Sequence, residues 1–310
     1  MPYIGRFAPS PTGSLHFGSL VAAVASYCDA KANNGQWIVR MEDLDKPREV
    51  AGAADSILRQ LEHFGFEWDE PIIMQSQRVE HYETALNRLK NKQLIYPCTC
   101  TRKEIADSSA NIGVDGIIYP RTCLLHGTKP NKTSAWRVKT NNSTIHFRDA
   151  IQGEISHSLS NQVGDFILKR ADGLFAYQLA VVVDDAEQGV THIVRGADLL
   201  NSTTRQIYLQ QLLGYATPHY AHVPVASNLA GDKLSKQTLA KPINIKLSGQ
   251  SSSIIVNALI FEALSFLGQN PPLAIKKVSL NECWHWAVTH WSLANVPKQT
   301  QIKINDSMSC

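Results

Sequence analysis

The segment from Tyr3 to Cys28 constrains this chain more than any other. A short apolar opening, Tyr3-Ile4, leads into Arg6-Phe7-Ala8-Pro9-Ser10-Pro11-Thr12-Gly13-Ser14-Leu15-His16-Phe17-Gly18, which runs straight into the helix-like stretch Leu20 to Cys28. Two prolines, two glycines and the hydroxyls of Ser10, Thr12 and Ser14 between a strand and a helix make a rigid, open turn. Its backbone N–H groups point to whatever sits above the helix N-terminus, a favourable place for phosphate. His16 adds a donor whose charge changes near neutral pH. The competing reading is an ordinary βα loop in which His16 only caps or packs.

The rest of the first third extends this pattern. The first helix is expected to end near Asn33-Asn34-Gly35, with Gly35 as its left-handed cap. Trp37 to Met41 reads as a short buried strand that delivers Glu42 at its end. Ala54, Ile57, Leu58, Leu61 and Phe64 recur at helical spacing, as do Val79, Tyr82, Leu86 and Leu89. Strand, helix, strand, helix predicts a parallel sheet with crossover helices. Ligands gather at the carboxyl ends of such strands, where the Ser10-to-Gly18 turn and Glu42 both fall.

Half of the six cysteines, Cys98, Cys100 and Cys123, fall close together in a polar region that closes with Tyr119 and His126. In a cytosolic protein this favours a structural metal over a disulfide, and soft thiolates with one N or O donor select tetrahedral zinc. The alternative is three reduced, buried thiols. The fourth ligand is open between Tyr119 and His126, with the high pKa of free phenol favouring His126.

Alternation returns at Ala135 to Lys139 and Ile145 to Arg148, suggesting antiparallel strands in an insertion. Asp165 to Gln178 reads as a hairpin turning at Asp172-Gly173. Val181-Val182-Val183 and His192-Ile193-Val194 read as two further β-branched runs that deliver Asp184-Asp185 and Arg195-Gly196-Ala197-Asp198. Asp184 and Asp185 are candidates for metal or ribose contacts, or for caps of the following turn. A helix from about Thr203 to Leu213 is followed by His222-Val223-Pro224-Val225 and the loop Gly231 to Gln237. There Lys233 and Lys236 flank Ser235, and a loop of this kind can close over a polyphosphate and neutralise developing charge. In the tail, Ile254, Ile255, Ala258, Leu259, Phe261, Leu264 and Leu267 mark one helix, and Trp284, Ala287, Val288 and Trp291 another.

Composition narrows the class. The 310 residues are 44% hydrophobic and 18% charged, ordinary for a globular protein that holds two domains or one with an insertion. No apolar run approaches a membrane span and no secretory leader is visible, so a cytoplasmic protein without membrane contact is expected. The net charge of +3 is concentrated in the tail, where Lys241, Lys246, Lys276, Lys277, Lys298 and Lys303 face only Glu262, Glu282 and Asp306. A mildly basic tail suits contact with a phosphate backbone.

The ordered set of motifs resembles the class I aminoacyl-tRNA synthetases, in their glutamate-activating branch. Pro9 to Gly18 is similar to that family's His-containing signature. Lys233-Leu234-Ser235-Lys236-Gln237 is similar to its lysine-containing signature, with Leu234 in place of Met and Gln237 in place of Ser. Val181 to Asp185 and His192 to Asp198 match between them, so the resemblance covers about residues 3 to 240. Only residues 238–310 follow the lysine loop, short of the helical anticodon-binding domains of an ordinary member. The Cys98/Cys100/Tyr119/Cys123 arrangement is similar to that of a short paralogue in the same branch, and on this resemblance Tyr119 displaces His126 as fourth ligand.

The resemblance implies an α/β fold: a Rossmann-type doubly wound parallel sheet, a zinc-containing insertion and a small, mainly helical C-terminal domain. The expected division is 1–96 and 179–240 for the two halves of the nucleotide-binding domain, 97–178 for the insertion and 241–310 for the basic tail. The implied activity is tRNA-independent activation of L-glutamate by ATP, followed by transfer to queuosine in the anticodon of tRNA(Asp). ATP is a substrate, Mg²⁺ accompanies it, and one structural Zn²⁺ is expected, with no protein partner. His16 and Lys236 are assigned to catalysis. Pro9, Gly13, His16, Gly18, Lys233, Ser235 and Lys236 are assigned to the nucleotide, and Arg6, Ser10, Glu42, Tyr177 and Arg195 to glutamate. The alternatives are a truncated synthetase that charges the tRNA 3′ end, or a catalytically silent paralogue that binds tRNA or protein.

Overall fold

The computed structural model describes residues 2–109, 111–228 and 252–304. The chain begins with β1 (Ile4–Phe7), crosses through α1 (Phe17–Ala32) to β2 (Gln36–Met41), and through α2 (Ala53–His63) to the short β3 (Ile73–Met74). After α3 (Val79–Asn91) come β4 (Ile95–Cys98), α4 (Arg102–Ser108), the small hairpin of β5 (Ile112–Gly113) and β6 (Gly116–Ile117), and α5 (Thr122–His126). Strands β7 (Ala135–Val138), β8 (Thr144–Asp149), β9 (Gly153–Ser158) and β10 (Ile167–Lys169) follow. The central part ends with α6 (Tyr177–Glu187), β11 (His192–Gly196), α7 (Leu200–Leu213), β12 (His219–Val223) and β13 (Val225–Ser227). Beyond these lie α8 (Ser252–Phe266), α9 (Leu280–Thr289) and β14 (Gln301–Lys303).

The core is a parallel sheet buried on both faces. β2 pairs with β1 and β3, and β11 with β12, all in parallel. The two groups meet at β1, where Thr191 N–H donates to the Ile4 carbonyl at 3.0 Å. Side chains alternate between two apolar layers, as the pleat dictates. Trp37, Val39 and Met41 join α1 in one layer, while Ile38, Ile193 and Tyr220 join α3, α6 and α7 in the other. β8 reaches the edge of this sheet, Asp149 lying opposite Tyr220. β4, β7 and β10 form a separate antiparallel sheet.

Three local expectations are corrected. Val181 to Asp185 is not a strand with charges at its end; it is the middle of α6, and Leu179 to Asp185 are all buried. β-branched residues favour strands on a half-buried surface, but here α3, α7 and the sheet enclose the segment on every side and tertiary packing overrides propensity. The Asp165 to Gln178 hairpin is shorter than expected: Lys169 bridges Phe175, and Tyr177 already opens α6. At the end of α1 the left-handed residue is Asn34 (φ 53°) rather than Gly35. Gly35 answers a different need, since a Cβ there would lie 2.6 Å from the Tyr3 carbonyl oxygen.

The tail packs on α1. Phe266 sets its ring edge-on to Phe17, centroids 5.9 Å apart, and Trp284 meets Tyr27 at 4.8 Å. Val256, Ile260 and Leu264 of α8, with Leu267 just beyond it, share a single apolar core with α1. β14 then pairs in parallel with β13.

Candidate active site

A cleft of about 800 Å³ opens over the carboxyl ends of the parallel strands. The turn after β1 forms one wall with Pro9, Ser10, His16 and Gly18; Glu42 enters from the end of β2, Tyr177 from the start of α6, and Val223 and Pro224 from the end of β12. The turn is held from behind. Glu42 N–H donates to Pro9 O and Val50 N–H to Pro11 O, both at 3.0 Å, and Leu15 N–H donates to Gln60 Oε1 at 2.8 Å. Gly13 sits at φ 135°, where a side chain is disfavoured. His16 is the N-cap of α1, where its Nδ1 accepts from Ser19 N–H at 3.3 Å, and it also lines the cleft. Capping and cleft-lining coexist in one residue.

Among the residues assigned above to nucleotide and glutamate, the cleft thus gathers Pro9, Ser10, His16, Gly18, Glu42 and Tyr177. Lys233, Ser235 and Lys236 lie outside the described residues. Arg6 and Arg195 stand behind the wall, each nearly fully buried at 4% exposure. Gly13 shapes the turn without lining the cleft.

Behind Glu42 lies a buried charge network that the sequence did not disclose. Asp184 accepts from Gln75 Nε2 and Arg78 Nε at 2.7 Å and from Tyr82 OH at 2.8 Å. Asp185 takes Arg40 Nη2 at 2.8 Å and Arg6 at 3.3 and 3.4 Å. Both carboxylates therefore work inside the fold, pinning α6 to β1, β2 and α3, and the expected metal, ribose or capping role of Asp184-Asp185 is corrected. Arg40 also reaches Glu42 at 3.5 Å. Burial nevertheless pushes the Glu42 carboxyl up to about 7, against the pull of Arg40 and Arg6 and with a further push from Asp185 and Asp184.

Arg195, at the end of β11, is gripped on several edges. Nε donates to His222 Nε2 at 3.0 Å, Nη2 to Thr203 Oγ1 at 2.8 Å, and Nη1 to the Tyr177 hydroxyl at 3.4 Å. His222 Nδ1 is 2.6 Å from Asp149 Oδ2. The sequence reading passed over His222, although it occupies the carboxyl end of β12 and so obeys the same positional rule that selected Glu42 and Arg195.

Between the end of β4 and α5, the sulfurs of Cys98, Cys100 and Cys123 lie within 4.8 Å of one another. The Tyr119 hydroxyl is 3.3 Å from Cys98 Sγ and 3.4 Å from Cys100 Sγ, and it accepts from Cys123 N–H at 2.8 Å. Tetrahedral zinc with bonds of about 2.3 Å holds its sulfurs roughly 3.8 Å apart, so the cluster is compatible with a zinc site. Burial opposes ionisation of Cys123, but hydrogen bonds from Tyr119 and Thr99 bring its thiol down to about 6. His126 is exposed at the end of α5.

The catalytic-domain model of the class I tRNA synthetases (E and Q) matches residues 4–271. In fold, the whole chain superposes on a glutamate–tRNA synthetase from Elizabethkingia anophelis with a TM-score of 0.77 at 24% identity, covering 69% of that chain. The glutamyl-Q tRNA(Asp) synthetase of Aromatoleum aromaticum is 54% identical over 99% of this chain and 95% of its own length. That of Dechloromonas aromatica is 53% identical over 97% and 98%. The chain belongs to this family, the glutamyl-Q tRNA(Asp) synthetases within class I.

Proposed function

We propose that this protein activates L-glutamate with ATP, in the absence of tRNA, and transfers the glutamyl group to the queuosine base in the anticodon of tRNA(Asp). The observation that carries the reading is identity of 53–54% to glutamyl-Q tRNA(Asp) synthetases along almost the whole of both chains. The family relation favours an enzyme over a silent paralogue, and the extent of the match favours transfer to queuosine over charging of the 3′ end. Among the described residues no helix is long and apolar enough to cross a membrane, in keeping with work on tRNA in the cytoplasm.

In the activation step a glutamate α-carboxylate oxygen attacks the α-phosphorus of ATP; the bond to the β-phosphate breaks and pyrophosphate leaves. Little covalent work falls to the protein, so positioning and charge stabilisation dominate. His16 and Lys236 stabilise the charge that develops on the phosphate oxygens. Pro9, Gly13 and Gly18 shape the turn on which the nucleotide rests, and Lys233 and Ser235 also contribute to holding it. Mg²⁺ bound with ATP would neutralise its phosphates. Glu42 takes the ammonium of glutamate, Arg6 and Arg195 serve its two carboxylates, and Ser10 and Tyr177 hydrogen-bond to it. A nucleophile on queuosine then attacks the glutamyl carbonyl and AMP departs, while the basic residues of 241–310 serve the phosphate backbone of the tRNA.

Cys98, Cys100, Cys123 and Tyr119 would hold a zinc ion that cross-links the end of β4 to α5. The convergence of the phenol on two sulfurs supports Tyr119 over His126.

Glutamate-dependent exchange of label between pyrophosphate and ATP, run without tRNA, tests the first half. Labelled glutamate offered to tRNA with and without queuosine, followed by nuclease cleavage, tests the second. Label on the anticodon fragment of queuosine-containing tRNA alone is expected; label on the acceptor-end fragment would overturn the assignment.

A further inference from the structure

The contacts behind Arg195 have a directionality that its assignment to a substrate carboxylate does not use. A guanidinium has donors and no acceptor, so His222 Nε2, 3.0 Å from Arg195 Nε, carries the lone pair. The ring proton then sits on Nδ1 and is donated to Asp149 Oδ2 at 2.6 Å. Only the neutral Nδ1–H tautomer satisfies both neighbours at once. Thr203 Oγ1, 3.2 Å from Nε2, is compatible with the same lone pair. Burial, assisted by the adjacent Arg195, holds the imidazole down to about 4 against the pull of Asp149, so the ring is neutral at working pH.

Asp149 is itself fixed. Its Oδ1 accepts from the backbone N–H groups of Ile151 at 3.0 Å, Gln152 at 2.9 Å and His222 at 3.1 Å. At the other end, Arg195 is held on its Nε and Nη2 edges, which aims Nη1 at the Tyr177 hydroxyl on the cleft wall. A freely rotating guanidinium could not keep one N–H so placed.

We propose that Asp149 and His222 are positioning residues for glutamate recognition: Asp149 selects the His222 tautomer that locks the Arg195 guanidinium in the orientation that receives a substrate carboxylate. The inference rests on the reading that Arg195 binds glutamate. Because Asp149 ends β8 and His222 lies one residue before the end of the neighbouring β12, the specificity of the cleft depends on a contact between two strands far apart in the chain.

Asp149→Asn is the sharpest test. Its amide oxygen can keep the three backbone bonds, which turns the NH2 group toward His222 Nδ1. The ring must then accept there and carry its proton on Nε2, where it opposes the Arg195 N–H. In pyrophosphate exchange with the full chain, the glutamate KM is expected to rise about 10- to 100-fold; the ATP KM and the rate at saturating glutamate should stay within about threefold. His222→Leu, which offers no acceptor, should show the same KM effect, and His222→Gln, which restores one, should recover most of the loss. Long-range 1H–15N spectra should show His222 protonated on Nδ1 in the native protein and on Nε2 in Asp149→Asn.

An Nε2–H tautomer in the native protein would overturn the proposal. So would a glutamate KM within twofold of native in both Asp149→Asn and His222→Leu while Arg195→Lys raises it. A native KM in Arg195→Lys would instead defeat the underlying reading of Arg195. If Asp149→Asn does not fold, the native spectrum and the Leu/Gln pair at His222 decide the matter.

Discussion

Replacing Glu42 with Gln should make the fold more stable and the enzyme worse. Glu42 follows β2 directly, its side chain is 8% exposed, and its nearest cation, Arg40, is 3.5 Å away and already committed to Asp185. Burial carries the carboxyl from the ordinary 4.5 to about 7. A carboxyl that keeps its proton to higher pH in the folded than in the unfolded chain makes the native state bind more protons between those two values. Stability therefore falls as pH rises from about 4.5 to 7 and stays lowered above.

At about 1.4 kcal/mol per pKa unit, ionised Glu42 costs the fold about 3 kcal/mol at pH 8 and under about 1 kcal/mol at pH 5. Glutamine, neutral throughout, removes that cost. Urea unfolding of the full chain should show Glu42→Gln more stable by 2–3 kcal/mol (an order-of-magnitude figure from the same relation) at pH 8, with a much smaller difference at pH 5. A variant less stable than native at pH 8, or an equal difference at both pH values, would refute the argument. The same residue is proposed to take the substrate ammonium, so the variant's glutamate KM should rise at least about 30-fold. In the native enzyme that KM should climb about tenfold from pH 8 to pH 6 as Glu42 gains its proton.

Three further outcomes are expected. His16→Ala should lower the exchange rate about 100-fold while ATP affinity, by calorimetry, moves only a few-fold, because His16 is proposed to act on charge that develops in the transition state. Asp184→Asn should lower unfolding free energy by about 3 kcal/mol, since it strips charge from a buried partner of Arg78 and Arg40; a loss below about 1 kcal/mol would remove the network from the account. Native mass spectrometry should find one zinc per chain; in chelator competition Tyr119→Phe should bind it about tenfold more weakly and His126→Ala as tightly as native. The opposite order would make His126 the ligand.

What could be read from the sequence was whatever depends on neighbours along the chain. The strand, Pro/Gly turn and helix at residues 4–32, the strand that ends at Glu42, and the clustering of Cys98, Cys100 and Cys123 all have local signatures, and each appears in the structure. Val181 to Asp185 failed because its conformation is set by what surrounds it: a β-branched run becomes helical once α3, α7 and the sheet enclose it. The partners of the charged residues failed for a related reason. Arg6 meets Asp185, and Arg195 meets His222 and through it Asp149, across long stretches of chain whose approach no local pattern announces.

The pairing of β13 with β14 also ties the tail to the cleft. The partners are separated by most of the tail, including α8 and α9 among the described residues, and parallel strands cannot be joined by a tight turn. Closing so long a loop costs entropy before any hydrogen bond repays it, and the docking of α8 and α9 on α1, which holds β14 near its partner, lowers that cost. Val225, which opens β13, is also part of the cleft lining. The cleft wall at Val225 is therefore braced by a strand of the tail, and a change in the tail should be felt in the cleft.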